Sequence, residues 1–324
     1  MYNPPFSISS KAINLIAKIS AQIERYAIRM EQSDSLKLRK ANRIKTIHSS
    51  LAIEGNNLSE GEVMAILDGK NVIAPQKEIL EVRNAIKTYE LYPTLKPFSI
   101  EDMLKAHLTM MSGLVDDAGM FRRRGVGVFD ETTAVHIAPP AERVKDLMND
   151  LFIWLENSED HLLIRSCVFH YEFEFIHPFA DGNGRIGRLW QSLILGKLNP
   201  LFEHLPVENM VYANQQAYYD AITQSSAKGD SQPFIDFMLQ EILNALEDRK
   251  GHTVDEIGLA NSLSENEIKI LGLIRSDRHM SAKRRAEEIG VSQRQIERIL
   301  AGLKEKSIIR RVGANRNGYW EVIG

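Results

Sequence analysis

Cysteine occurs once in the 324 residues, at Cys167, which excludes an internal disulfide framework and a cysteine-rich zinc site. No apolar run approaches the roughly 18 residues that a membrane helix needs. The opening residues MYNPPFSISS lack a basic stretch followed by an apolar core, so no secretory leader is expected. An excess of either charge is missing too: 40 Lys and Arg against 43 Asp and Glu leave a net charge of -3. The chain has an ordinary globular composition, with 44% hydrophobic and 26% charged residues. A cytoplasmic protein of two domains is the expectation, at about 150 residues per domain.

The near-neutral total hides an asymmetry. Residues 262–324 carry 13 Lys and Arg against 8 Asp and Glu, a net of +5, whereas the first 261 residues carry 27 against 35, a net of -8. Nearly every periodic stretch reads as helix. Ser10 is a candidate cap for a helix with Ile13, Ile16, Ile19 and Ile23 on one face. A helix over about 36–53 stops at Gly55-Asn56-Asn57. Shorter helices follow over 59–69, 76–92 and 99–111. The stretch 160–176 puts Leu163, Ile164, Cys167, Val168, Tyr171 and Phe175 on one face. Another helix is expected over 183–195, then two more between about 213 and 249. The exception is 121–140, where glycines, β-branched residues and Pro139-Pro140 predict a short hairpin or flap. Residues 250–263 read as a linker.

Residues 177–188 read HPFADGNGRIGR. Pro178 biases His177 away from helical angles and so ends the preceding helix. Loop glycines at a new helix start let backbone N–H groups converge on an anion, aided by the helix dipole. Arg185 and Arg188, three apart, share one face and suit bidentate phosphate contacts. Asp181 is a hard oxygen donor suited to Mg²⁺, and His177 is a candidate base near neutral pH. Taken singly, these residues read as a turn and a solvated helix face; together they read as a site for phosphate chemistry. Residues 182–187 also satisfy G-x-G-x-x-G, but the preceding segment has helical periodicity, which excludes a dinucleotide-binding βαβ unit. G-x-x-x-x-G-K-[ST] is absent, which excludes a P-loop.

The stretch HPFADGNGRIGR resembles the Fic signature H-P-F-x-x-G-N-G-R-x-x-R, with an acidic residue at the fifth position. GMFRRRGVGV and HIAPP resemble that family's flap, HYEFEFIHPF its entry helix, and AYYDAI with GDSQPFIDFM its closing helices, a likeness covering about 36–245. The resemblance implies a mainly α fold, a Fic-type helical domain with a short β-hairpin flap. It implies protein adenylyltransfer: AMP passes from ATP to a Ser, Thr or Tyr hydroxyl of a target protein, with Mg²⁺, and the protein itself is a further candidate target. His177 would be the base and Asp181 the metal ligand. Gly182, Asn183 and Gly184 would form the anion hole, and Arg185 and Arg188 would grip phosphates. Tyr218 and Tyr219 would line the adenine side, and residues 125–137 would hold the target by strand addition. Ser50-Leu51-Ala52-Ile53-Glu54-Gly55 is similar to the family's inhibitory pattern [ST]-x-x-x-E-[GN]. On that likeness Glu54 pairs with Arg188 and blocks the γ-phosphate site.

The basic C-terminal stretch reads as a helix from Ser264, a helix-turn-helix through Gly290-Val291 with Ser292 as cap, and a hairpin turning at Asn317-Gly318. This is similar to a small winged helix-turn-helix domain. Ile296, Ile299, Leu300 and Leu303 would face its core, Gln293, Arg294, Gln295 and Arg298 would face outward towards DNA bases, and Arg316 would meet the backbone or minor groove. Such domains also serve protein interaction, so DNA and protein partners both stay open. The expected division is 1–250, with an inhibitory helix at about 36–55 and a Fic core at about 95–245, followed by a winged helix at 262–324. Two rival readings stand beside the transferase. One is removal of AMP from modified proteins by the same site; the other is a DNA-binding regulator that senses nucleotide. A homodimer is compatible with all three.

Overall fold

The structure is a computed structural model that describes residues 2–32, 35–125, 127–130, 133–205, 207–248, 265–276, 280–305, 309–312 and 319–322. The expected linker at 250–263, the cap at Ser264, the turn at Asn317-Gly318 and Arg316 lie outside the described residues. The chain forms two compact units, Met1–Asp248 and Arg249–Gly324. No helix among the described residues is long and apolar enough to cross a membrane.

In the first unit the helices are α1 (Ser10–Gln32), α2 (Ser35–Ile53), α3 (Glu60–Leu67), α4 (Gln76–Leu91) and α5 (Ile100–Met110). After the strands β1 (Gly127–Asp130) and β2 (Thr133–Ile137) come α6 (Ala141–Asn157), α7 (Leu162–Ile176) and α8 (Asn183–Leu198). The unit closes with α9 (Val207–Ala213), α10 (Gln215–Lys228) and α11 (Gln232–Asp248). The short α9 and the whole of α6 go beyond the helices expected from periodicity. α6 starts directly after Pro140 and buries Val144, Met148, Leu151, Phe152 and Leu155.

The core is built around α7 and α8. α7 is not one-sided as expected: Leu163, Ile164, Val168, Phe169, Phe173 and Ile176 bury all round it, and Phe175 alone among its large apolar side chains is exposed. A helix apolar on every side belongs in the centre of a domain. Two of its buried polar side chains are hydrogen-bonded: Ser166 Oγ donates to Leu163 O, and His170 lies between Gln191 Oε1 (2.5 Å) and Tyr218 OH (3.0 Å). α8 crosses α7 closely at Gly187, where a side-chain carbon would sit 2.8 Å from Glu174 Oε1 and 3.1 Å from Phe173. Only glycine permits that approach.

α1 corrects two expectations. Its cap is Ser9, whose Oγ accepts from Ala12 N–H (2.9 Å), not Ser10. Its buried stripe is Ala12, Leu15, Ile19 and Ile23, while Ile13 is exposed, so the face is turned by one residue. The hairpin forms as expected: β1 and β2 pair antiparallel with Gly127 opposite Ile137 and a bulge at Val128–Phe129, and β2 ends before Pro139.

The second unit contains α12 (Glu265–Ser276), α13 (Ala282–Ile289) and α14 (Gln293–Glu305), then β3 (Ile309–Val312) and β4 (Tyr319–Val322), an antiparallel pair. Ile270, Ile274, Ile296, Leu300, Leu303 and Ile309 form its core. Gly290, at φ +79°, ends α13 in the left-handed region, and Ser292 Oγ accepts from Gln295 N–H.

Glu172 on α7 is buried against the N-terminal segment, where its Oε2 accepts from Tyr2 OH (2.9 Å). Burial pushes its carboxyl up to about 7, against the partial relief given by Tyr2. A carboxyl raised on folding stabilises fully below its unfolded pKa, and that contribution is lost as pH rises through the folded value. Glu172→Gln should therefore match wild type in Tm near pH 4.5 and exceed it at pH 8, measured by thermal melts across that range.

Candidate active site

The site begins where α7 stops. His177 caps α7 with φ 50° and ψ 62°, the left-handed region, and is the only described non-glycine residue there. Pro178 disfavours a helical His177, and the left-handed turn reverses the chain at a cost of about 1–3 kcal/mol. Arg122, 3% exposed, holds this turn in place. Its Nε donates to His177 O (2.8 Å), and its Nη2 donates to Pro139 O (2.5 Å) and Ile176 O (3.2 Å). The same residue's backbone N–H donates to Pro178 O. One arginine thus fixes the base candidate and the root of the flap together.

The loop after His177 is braced from both sides. Asn183 Oδ1 accepts from Phe179 N–H and its Nδ2 donates to Phe179 O, both at 2.9 Å. The Asn183 side chain is therefore a loop brace, and only its backbone is available to an anion hole. His107 of α5 stacks on Phe179 at 3.7 Å between ring centroids. Its Nδ1 accepts from Gly119 N–H (2.8 Å), so its proton is on Nε2, which donates to Asp181 O (3.0 Å). Burial lowers the His107 pKa, in keeping with a neutral ring. Gly182, at φ 83°, opens α8, and a side-chain carbon there would press on Met111 Sδ at 2.7 Å.

The two arginines of α8 face inward and not towards solvent. Arg185 pairs with Asp181 Oδ1 (3.1 Å) and lies 3.9 Å from Glu81 Oε1 of α4. Arg188 is 3% exposed and is gripped by the end of α2: Nη2 donates to Glu54 Oε1 (2.7 Å) and Ser50 O (2.9 Å), and Nε donates to Ser50 Oγ (3.3 Å). Burial alone would lower this guanidinium's pKa, and the Glu54 carboxylate more than reverses that. A side-chain carbon at Gly184 would collide with Glu54 Oε1. The Glu54 carboxylate therefore lies on the first turn of α8, where a helix N-terminus attracts an anion. Gly55, at φ 89°, carries the chain away, and Asn56 Nδ2 ties it to Glu81 Oε2 (2.8 Å).

Asp181 is half exposed, with Oδ1 turned to Arg185 and to its neighbour's backbone N–H. A single accessible carboxylate suits an ion that keeps several waters and shares phosphate oxygens. Among the described residues no cluster of three or more His, Cys, Asp or Glu is arranged to hold a metal alone. The tyrosine pair divides: Tyr218 is buried with its OH on His170, while Tyr219 is exposed and its OH accepts from Gln215 Nε2. Arg122, His107 and Glu81 escaped the sequence reading. Arg122 is one of three consecutive arginines, and only the fold singles it out.

The Fic/DOC family profile matches residues 97–195. The chain is 29% identical over 204 residues to the protein adenylyltransferase Fic of Nematostella vectensis, covering 59% of this chain and 45% of that protein. It is 33% identical over 207 residues to protein adenylyltransferase fic-1 of Caenorhabditis elegans, covering 59% and 38%. The chain thus spans less than half the length of these curated relatives. A crystal structure of a Fic family protein from Desulfovibrio desulfuricans G20 superposes with a TM-score of 0.73 at 38% identity, covering 100% of this chain and 99% of that one. Fic-1 of C. elegans (residues 134–508) superposes with a TM-score of 0.58 at 22% identity over 74% and 72% of the chains, and shares the fold. With the motif, the braced loop behind it and a relative matched almost end to end in agreement, the chain belongs to the Fic/DOC family.

Proposed function

We propose that this chain transfers AMP from ATP to a hydroxyl side chain of a target protein, and that Glu54 holds it inactive. The observation that carries the reading is the Glu54 carboxylate on Arg188 at the start of α8. A carboxylate in an arginine fork at a helix N-terminus stands where a phosphate oxygen would bind, and excludes it by competition and repulsion.

The chemistry follows from the residues around it. The target hydroxyl oxygen attacks the α-phosphorus, its proton passes to the His177 ring, and the bond to the β-phosphate breaks to release pyrophosphate. His177 Nδ1 is buried beside Glu174, so the accessible ring edge carries Nε2, the nitrogen that takes the proton. Arg122 keeps the His177 backbone turn in place, the backbone of Gly182–Gly184 receives phosphate oxygens, and Arg185 and Arg188 neutralise charge as it develops. Asp181 would hold Mg²⁺, which supplies charge neutralisation on the phosphates when bound. The β1–β2 hairpin, whose root at Pro139 is tied to His177 O through Arg122, would offer a strand edge for an extended target segment.

Full-length wild type should label itself or lysate proteins weakly from α-labelled ATP. Glu54→Gly should label about 10- to 100-fold more, the range of a charge-assisted hydrogen bond at about 1.5–3 kcal/mol. His177→Ala in that background should lose about 100-fold or more. Equal labelling by wild type and Glu54→Gly rejects the inhibitory role.

For residues 262–324 we propose a winged helix-turn-helix that binds DNA. Gln293, Arg294 and Arg298 are exposed on the first turns of α14, while Gln295 is half-buried. Ile296, Leu300 and Leu303 point the opposite way, into the core. Full-length protein should shift duplex DNA at ~50 mM salt and lose it at ~200 mM, and Arg294→Ala/Arg298→Ala should weaken the shift and flatten the salt slope. An absent shift at low salt leaves a protein partner as this unit's role.

A further inference from the structure

Glu174 stands in the helix before the HPFADGNGRIGR stretch with no role assigned above, yet it lies under the site. It is three residues before His177 on the last turn of α7, and its side chain is 12% exposed. Its Oε2 is 4.0 Å from His177 Nδ1 and its Oε1 is 3.8 Å from His170 Nε2. Gly187 leaves room for it on the α8 side, since any side chain there would displace Oε1. A buried carboxyl beside a ring nitrogen of a proposed general base is the arrangement that orients an imidazole and stabilises its protonated form.

We propose that Glu174 is the positioning residue of His177: its carboxylate holds the ring by the Nδ1 edge and stabilises the imidazolium formed when Nε2 takes the hydroxyl proton. The inference rests on the transferase reading above. His170 does not compete for the charge. Burial lowers its pKa to about 4, and both its ring nitrogens are committed, to Gln191 and Tyr218. The other charges facing Glu174 are Arg188 of α8, which favours its ionised form, and Glu54 of α2, which opposes it; Tyr218 of α10 also lies near. Burial, the largest effect, raises the Glu174 carboxyl to about 7. At 4.0 Å the ionisation of the carboxyl and that of the imidazole act on each other, a negative charge on Glu174 favouring the protonated ring.

Two measurements test this. In full-length protein carrying ¹³C-labelled histidine, with the His177 signal assigned by its loss in His177→Ala, Glu174→Gln should lower the His177 titration midpoint by about one unit or more. This reading needs no AMP transfer. In the Glu54→Gly background, Glu174→Gln should lower kcat about tenfold, leave the KM for ATP unchanged and move the acidic limb of the kcat–pH profile down by a similar shift. Glu174→Leu removes the charge with a different shape and should give the same shifts, so either variant carries the test. A His177 midpoint and an acidic limb that stay in place in both variants overturn the proposal. An inactive Glu54→Gly parent with a shifted His177 midpoint would instead fault the transferase reading.

Discussion

Arg188 is a guanidinium with almost no access to water, and a charge held there demands an anion beside it. Much of the site's arrangement follows from that demand. Glu54 and the carbonyl of Ser50 meet it from the last turn of α2, and Gly184 clears the space in which the carboxylate lies. An arginine that cannot be left alone can still exchange one anion for another. This lets the same residue be a structural ion pair at rest and a phosphate ligand in the proposed reaction.

The exchange is useful because the rest of the constellation is already built. His177 sits in a left-handed conformation that Arg122 and Pro178 maintain, and Asn183 and His107 fix the loop between it and α8. None of these contacts involves Glu54. The proposed inhibition therefore acts on binding of the phosphates and leaves the base in place. Asn56 and Glu81 connect the end of α2 to Arg185, so release of the inhibitory segment would be felt by both arginines.

Much of this was legible in the sequence because local rules fix it. The helix stop at His177-Pro178, the glycine-rich loop, the end of α2 at Gly55 and the core face of α14 all follow from backbone restriction and apolar spacing. The Glu54–Arg188 pair was legible only through resemblance, since 134 residues separate its members. Arg122, His107 and Glu174 were not legible. Each acts through a contact made by tertiary packing, and neither composition nor spacing distinguishes Arg122 from its two neighbours. The burial of Tyr218 likewise depends on Phe234 and His170 meeting it from other helices. α6 lies outside the helices expected from periodicity although its apolar spacing is regular, and α7 carries apolar residues on the face opposite the expected stripe as well.

The central claim is that Glu54 occupies the place of a nucleotide phosphate on Arg188. Calorimetric titration of ATP and of ADP, each with Mg²⁺, into His177→Ala and into Glu54→Gly/His177→Ala tests it without turnover. The account predicts that removing Glu54 tightens ATP about tenfold or more relative to ADP, the step corresponding to ~1.4 kcal/mol. An ATP-to-ADP affinity ratio that is the same in both proteins would contradict it.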